Sequence, residues 1–129
     1  MADAFAGACA AVLKEFFGDN GSGTEQNLSR IVAERHYDRL ADMLKRTKGT
    51  IVAGGLDKCN RTSLMFAPTV VNGVKPGDAL LADEIFGPIL PIMAVDNVTE
   101  AIDYINSHDK PLALYVFSKN SAVVNQVLL

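Results

Sequence analysis

The chain has 129 residues, 49% of them apolar and 21% charged, with a formal net charge of −3. This suits one globular domain with a sizeable core. It excludes a sequence-independent hold on nucleic acid, which needs clustered Lys and Arg, and no apolar run approaches the ~20 residues that span a bilayer.

In chain order, Ala4, Phe5, Ala8, Cys9, Val12, Leu13, Phe16 and Phe17 recur at helical spacing. Asp3 is placed to cap that helix and Gly18 to stop it. Gly18 to Gly23 reads as a surface loop, because the Gly-Lys-Ser/Thr ending of a phosphate loop is missing. Ser29 is placed to cap a second helix reaching Thr47, with Val32, His36, Leu40, Met43 and Leu44 on its inner side. The basic run Lys45-Arg46-Thr47-Lys48 then falls where a helix end favours cations.

Thr50 to Ala53 reads as a strand closed by Gly54-Gly55. Leu64 to Val71 is a second extended run, pushed by Pro68 toward a sheet edge or an irregular strand. A turn follows at Gly73–Gly77, and Ile89 to Val95 makes a third strand interrupted by Pro91. Asn97-Val98-Thr99-Glu100 has the form of a capping box, ahead of a helix striped by Val98, Ala101, Ile102 and Ile105. Lys110-Pro111 ends it. Leu112 to Phe117 reads as a buried strand, and Ser118 to Ser121 opens a last helix. The order predicts an α/β fold with helices layered on a largely parallel sheet. Both ends of the chain fall inside apolar helical patterns and read as cut.

Few residues suit chemistry. Cys9 lies on an apolar helix face and reads as an inert packed thiol. Cys59, in the polar stretch Asp57 to Arg61, reads as a surface thiol. Neither stands in a CxxC or metal-ligand spacing, and the N-terminus lacks the pattern of a secretory signal. An intracellular, cytoplasmic setting is expected. His36 reads as a structural histidine and His108 as a helix-end residue. Two histidines so far apart, without companion carboxylates, make no metal site.

The stretch Ala82-Asp83-Glu84-Ile85-Phe86-Gly87-Pro88-Ile89-Leu90-Pro91 stands out. In an extended segment Glu84 and Phe86 would point to one face. A carboxylate with two accepting oxygens suits a vicinal diol, and a Phe suits a flat ring. Chemistry alone therefore suggests a nucleotide or sugar edge.

Asp83 to Pro91 resembles the Glu-x-Phe-Gly-Pro signature of aldehyde dehydrogenases. "LKEFFG", "SRIVAERHYDRL", "APTVV" and "AIDYINSHDKPLALYVFS" extend the likeness along nearly the whole chain, closest to the class 3, fatty-aldehyde branch. The resemblance implies an NAD- or NADP-dependent enzyme that oxidises an aldehyde through a cysteine thioester and works as a homodimer. It assigns the nicotinamide ribose to Glu84 and the nicotinamide to Phe86, and leaves Asp83 as a solvated flank where a second glutamate is common. It places the nucleophilic cysteine, the base glutamate and the nucleotide-binding domain outside residues 1–129, a partial catalytic domain. No residue here then inherits a catalytic role, Cys9 included. The chain alone is expected to be inactive, the alternative being a non-catalytic module that acts by association.

Overall fold

The structure is a computed structural model that describes residues 1–18 and 24–128. Residues 19–23 of the expected Gly-rich loop and Leu129 lie outside the described residues. Two compact units are formed, Met1–Ala94 and Val95–Leu129.

The first unit begins with α1 (Ala2–Phe17), capped by Met1 and stopped by Gly18, whose φ is 78°. Asp3 is not the cap. It sits in the first helical turn and accepts a hydrogen bond of 2.8 Å from Asn72 Nδ2. After the short α2 (Thr24–Asn27), α3 runs from Glu34 to Arg46. It does not start at Ser29, because the Ile31 N–H is drawn 2.9 Å to the Leu64 carbonyl, and Ala33 is still extended.

That late start rotates the helix relative to the expected phase. Tyr37, Leu40, Ala41, Met43 and Leu44 are buried, whereas His36 is exposed and Val32 is 93% exposed. Tyr37 takes the inner place and meets the Phe66 ring edge-on at 5.2 Å, the geometry the ring quadrupoles favour.

Three strands form a mixed sheet in the order β1 (Thr50–Ala53), β2 (Thr69–Asn72), β3 (Ile89–Ile92). β1 and β2 are antiparallel with a bulge between Ile51 and Ala53, and β2 and β3 are parallel. The fold is α/β as expected, with its parallel pairing confined to β2 and β3. The run Leu64–Val71 is not one strand. Met65 makes an isolated bridge with Asn60, and the sheet begins only after Pro68. Pro68 therefore makes the run irregular rather than an edge: it precedes the strand, and β2 is central among the described strands. Pro91 does lie within β3, which among the described strands is bordered by β2 alone and so tolerates a missing N–H.

Alternation along β2 builds two cores. Val71 faces α3 with Phe66, Val74, Leu80 and Ile89, while Val70 faces Ala6 of α1 with Ile92. The sheet is thus covered by a helix on each face.

In the second unit, α4 (Val98–Asn106) is capped by Asn97 as its sequence implies, while Glu100 reaches back one residue further than the expected capping box. Asn97 Oδ1 accepts from the Glu100 N–H at 3.0 Å, and Glu100 Oε2 accepts from the Asp96 N–H at 2.7 Å. α5 spans Ser121–Leu128, and Gln126 Nε2 donates to Thr99 Oγ1 at 3.2 Å. Leu112 to Phe117 forms no strand, contrary to expectation, and Leu112 and Phe117 are 105% and 94% exposed. A strand exists only where a neighbour takes up its ladder groups, and none of the described strands pairs with this segment.

Candidate functional site

The signature segment hangs between two anchors. Upstream, buried Asp78 caps a 3-10 turn, Ala79–Leu81, by accepting from the Leu80 N–H at 2.9 Å. Downstream, the Thr69 N–H donates to the Pro88 carbonyl at 2.9 Å and starts the parallel pairing of β2 with β3. Between them residues 82–87 form no regular element.

The expectation that Glu84 and Phe86 share a strand face fails here. Phe86 has φ 47°, in the left-handed region, which costs an ordinary residue about 1–2 kcal/mol and breaks strand alternation. The turn is held from α3. Arg39 Nη1 donates to the Glu84 carbonyl at 3.3 Å, and Arg39 Nη2 donates to the Ile85 carbonyl. Ile85 packs against the α3 core. Gly87 rides over Leu40, where an added Cβ would meet the Leu40 methyls at 2.6 Å.

With its backbone held from α3, the segment leaves three side chains exposed. Asp83 and Glu84 are exposed, and the Phe86 ring is 81% exposed. A Phe kept in water on a strained backbone leaves apolar surface for a planar partner to cover. The exposed Glu84 carboxylate, two residues earlier, adds two acceptors for hydroxyl groups.

The cysteines play other parts. Cys9 is half-buried against Val70 and Ile92, the packed role expected of it. Cys59 is not a surface thiol. It is half-buried, donates to the Gly55 carbonyl at 3.4 Å and accepts from the Ala67 N–H at 3.2 Å. Burial first, and then the Asp57 charge, push the thiol above its ordinary range against the pull of the Ala67 N–H. It stays protonated at neutral pH and is a poor nucleophile. His108 lies just past α4, with Nδ1 2.7 Å from the Tyr104 carbonyl. Among the described residues no three His, Cys, Asp or Glu side chains gather in a metal-binding group, and no helix is long and apolar enough to cross a membrane.

Sequence reasoning missed Arg39. It lies 45 residues from Glu84, in a helix where nothing in the pattern sets it apart from other exposed-face cations. Its only cue was the stretch "HYDRL", which the family likeness includes.

A model of the aldehyde dehydrogenase family matches residues 1–128. Aldehyde dehydrogenase family 3 member A2 of Mus musculus is 44% identical over 117 residues, which cover 90% of this chain and 23% of that protein. A substrate-bound Staphylococcus aureus AldH superposes with a TM-score of 0.90 at 35% identity, over 98% of this chain and 27% of that one. Thermus 1-pyrroline-5-carboxylate dehydrogenase, solved with bound NAD, superposes with a TM-score of 0.64 at 26% identity, over 77% of this chain and 19% of that one. The chain spans about a quarter of the length of these relatives.

Proposed function

Because the chain belongs to the aldehyde dehydrogenase family, we propose that it is part of the catalytic domain of an NAD(P)-dependent enzyme. That enzyme oxidises an aldehyde to a carboxylic acid through a cysteine thioester. The observation that carries the reading is the turn held by Arg39, on which Glu84 and Phe86 are both exposed within one short segment. Glu84 accepts hydrogen bonds from the nicotinamide ribose hydroxyls, and Phe86 covers the nicotinamide ring. The bound nucleotide, NAD or NADP, supplies the hydride acceptor.

The resemblance of "SRIVAERHYDRL" and "KPLALYVFS" to the class 3, fatty-aldehyde branch supports a fatty-aldehyde substrate. Two free thiols, Cys9 and Cys59, support a reducing, intracellular setting. By the family likeness the complete enzyme works as a homodimer.

In the full-length protein, Glu84→Gln keeps the shape and removes the charge. Charge-assisted hydrogen bonds contribute roughly 1.5–3 kcal/mol each, so the KM for nucleotide should rise about tenfold or more while the KM for aldehyde holds. An unchanged nucleotide KM would reject the reading. Residues 1–129 alone contain no activated thiol, since the Cys59 thiol is held protonated and Cys9 is packed under the sheet. Purified chain with nucleotide and a medium-chain aldehyde should therefore produce no NAD(P)H, and steady turnover would contradict this.

A second reading, association without catalysis, is favoured by the outer face of α1. Phe5, Val12 and Phe16 are 53%, 44% and 63% exposed, and they leave apolar surface for another body to cover. A monodisperse monomer in sedimentation velocity would count against it.

A further inference from the structure

We infer that Arg39 is a positioning residue for the nucleotide contacts, acting through the backbone of the signature turn. The inference rests on the reading of Glu84 and Phe86 given above.

The Glu84 and Ile85 carbonyls accept no hydrogen bond from any backbone N–H among the described residues. Each accepts instead from one arm of the same guanidinium. Nη1 also lies 3.3 Å from Met43 Sδ, one turn further along α3, which steadies the fork from behind. The next residue of the helix, Leu40, is fully buried and lies under Gly87. Arg39 therefore grips the chain before Phe86 and Leu40 supports it after, and Phe86 is left between them at φ 47°.

Two adjacent carbonyls held by one planar fork fix the peptide planes on both sides of the Ile85 Cα. Those planes determine where the Glu84 carboxylate emerges and how the Phe86 ring is aimed. A lysine at position 39 offers one compact ammonium, which cannot reproduce the paired geometry. A methionine keeps the apolar stem and removes every donor.

The test compares Arg39→Met, Arg39→Lys and Glu84→Gln in the full-length protein, by steady-state kinetics and thermal unfolding. Misplacing a contact by about 1 Å can cost as much as a hundredfold. Arg39→Met is therefore expected to raise the KM for nucleotide about tenfold or more, with the KM for aldehyde within about twofold. Arg39→Lys should restore part of the loss. Hydrogen exchange at the Ile85, Phe86 and Gly87 amides should speed up in the methionine variant without a matching change in α3.

If Glu84→Gln raises the nucleotide KM and Arg39→Met does not, the role of Arg39 is overturned while the nucleotide reading stands. Should both variants leave it unchanged, the nucleotide reading falls and takes this inference with it. Equal losses for nucleotide and aldehyde with a lowered melting temperature would show a purely structural residue, and would also overturn the inference.

Discussion

Asp78→Ala should destabilise the chain by about 2–4 kcal/mol at neutral pH, as lost hydrogen bonds to a buried charge do. The carboxylate is only 7% exposed. Its Oδ2 accepts from Thr47 Oγ1 at 2.9 Å and from the Lys48 N–H at 2.8 Å, and its Oδ1 accepts from the Leu80 N–H. It thus joins the end of α3 to the turn that leads into the signature segment, and its removal strands the buried Leu80 N–H and the part-buried donors of Thr47 and Lys48.

Burial alone would raise this carboxyl's pKa, but the hydrogen bonds from Leu80, Lys48, Thr47 and Gly49 together outweigh it and hold it below the ordinary range. A depressed folded pKa means that the contribution is fully present above the unfolded value of about 3.9 and is lost as pH falls through the folded pKa. Urea titrations at pH 7 should separate the alanine variant from the parent. The gap should close progressively below pH 4. A gap that stays constant into acid would show that the charge is not what stabilises the joint.

Gly54→Ala should be the more damaging change, at about 3–5 kcal/mol. Its φ of 76° is strained for any residue with a Cβ. The added atom would also lie 2.2 Å from the Pro68 carbonyl oxygen and 2.6 Å from Thr69 Oγ1. Both contacts involve the entry to β2, where Thr69 Oγ1 accepts from the Gly55 N–H at 3.0 Å. Relief would require moving the central strand. Against a typical total stability of 5–15 kcal/mol, that loss should lower the unfolding midpoint sharply when followed by circular dichroism. Gly7→Ala is the control. It lies in α1 with nothing within 4 Å of an added Cβ, and removing a mid-helix glycine should stabilise by roughly 0.5–1 kcal/mol. Similar behaviour of the two variants would refute the steric argument.

The expected elements held where the cause was local. Asn97 and Glu100 cap α4 because both partners lie within one turn, and Gly18 stops α1 because a positive φ suits glycine. They failed where a distant contact intervened. The Leu64 carbonyl keeps Ile31 extended, delays α3 past Ser29, and so exchanges His36 for Tyr37 in the core. Cys59 looked polar from its neighbours in sequence, but it is half-buried because Ala67 and Gly55 fold over its sulfur. Leu112 to Phe117 has the composition of a strand, and composition cannot supply a pairing neighbour.

The signature segment divides in the same way. Its residues alone determined the signature match and the choice of Glu84 and Phe86, because side-chain chemistry is written directly in the order of residues. Their geometry was decided elsewhere. The turn leading into Phe86 is held by an arginine 45 residues before Glu84, and the close passage of Gly87 depends on a leucine beside that arginine. Backbone dihedrals in an irregular segment follow from what grips it, and a linear sequence does not record which distant groups come within hydrogen-bonding reach.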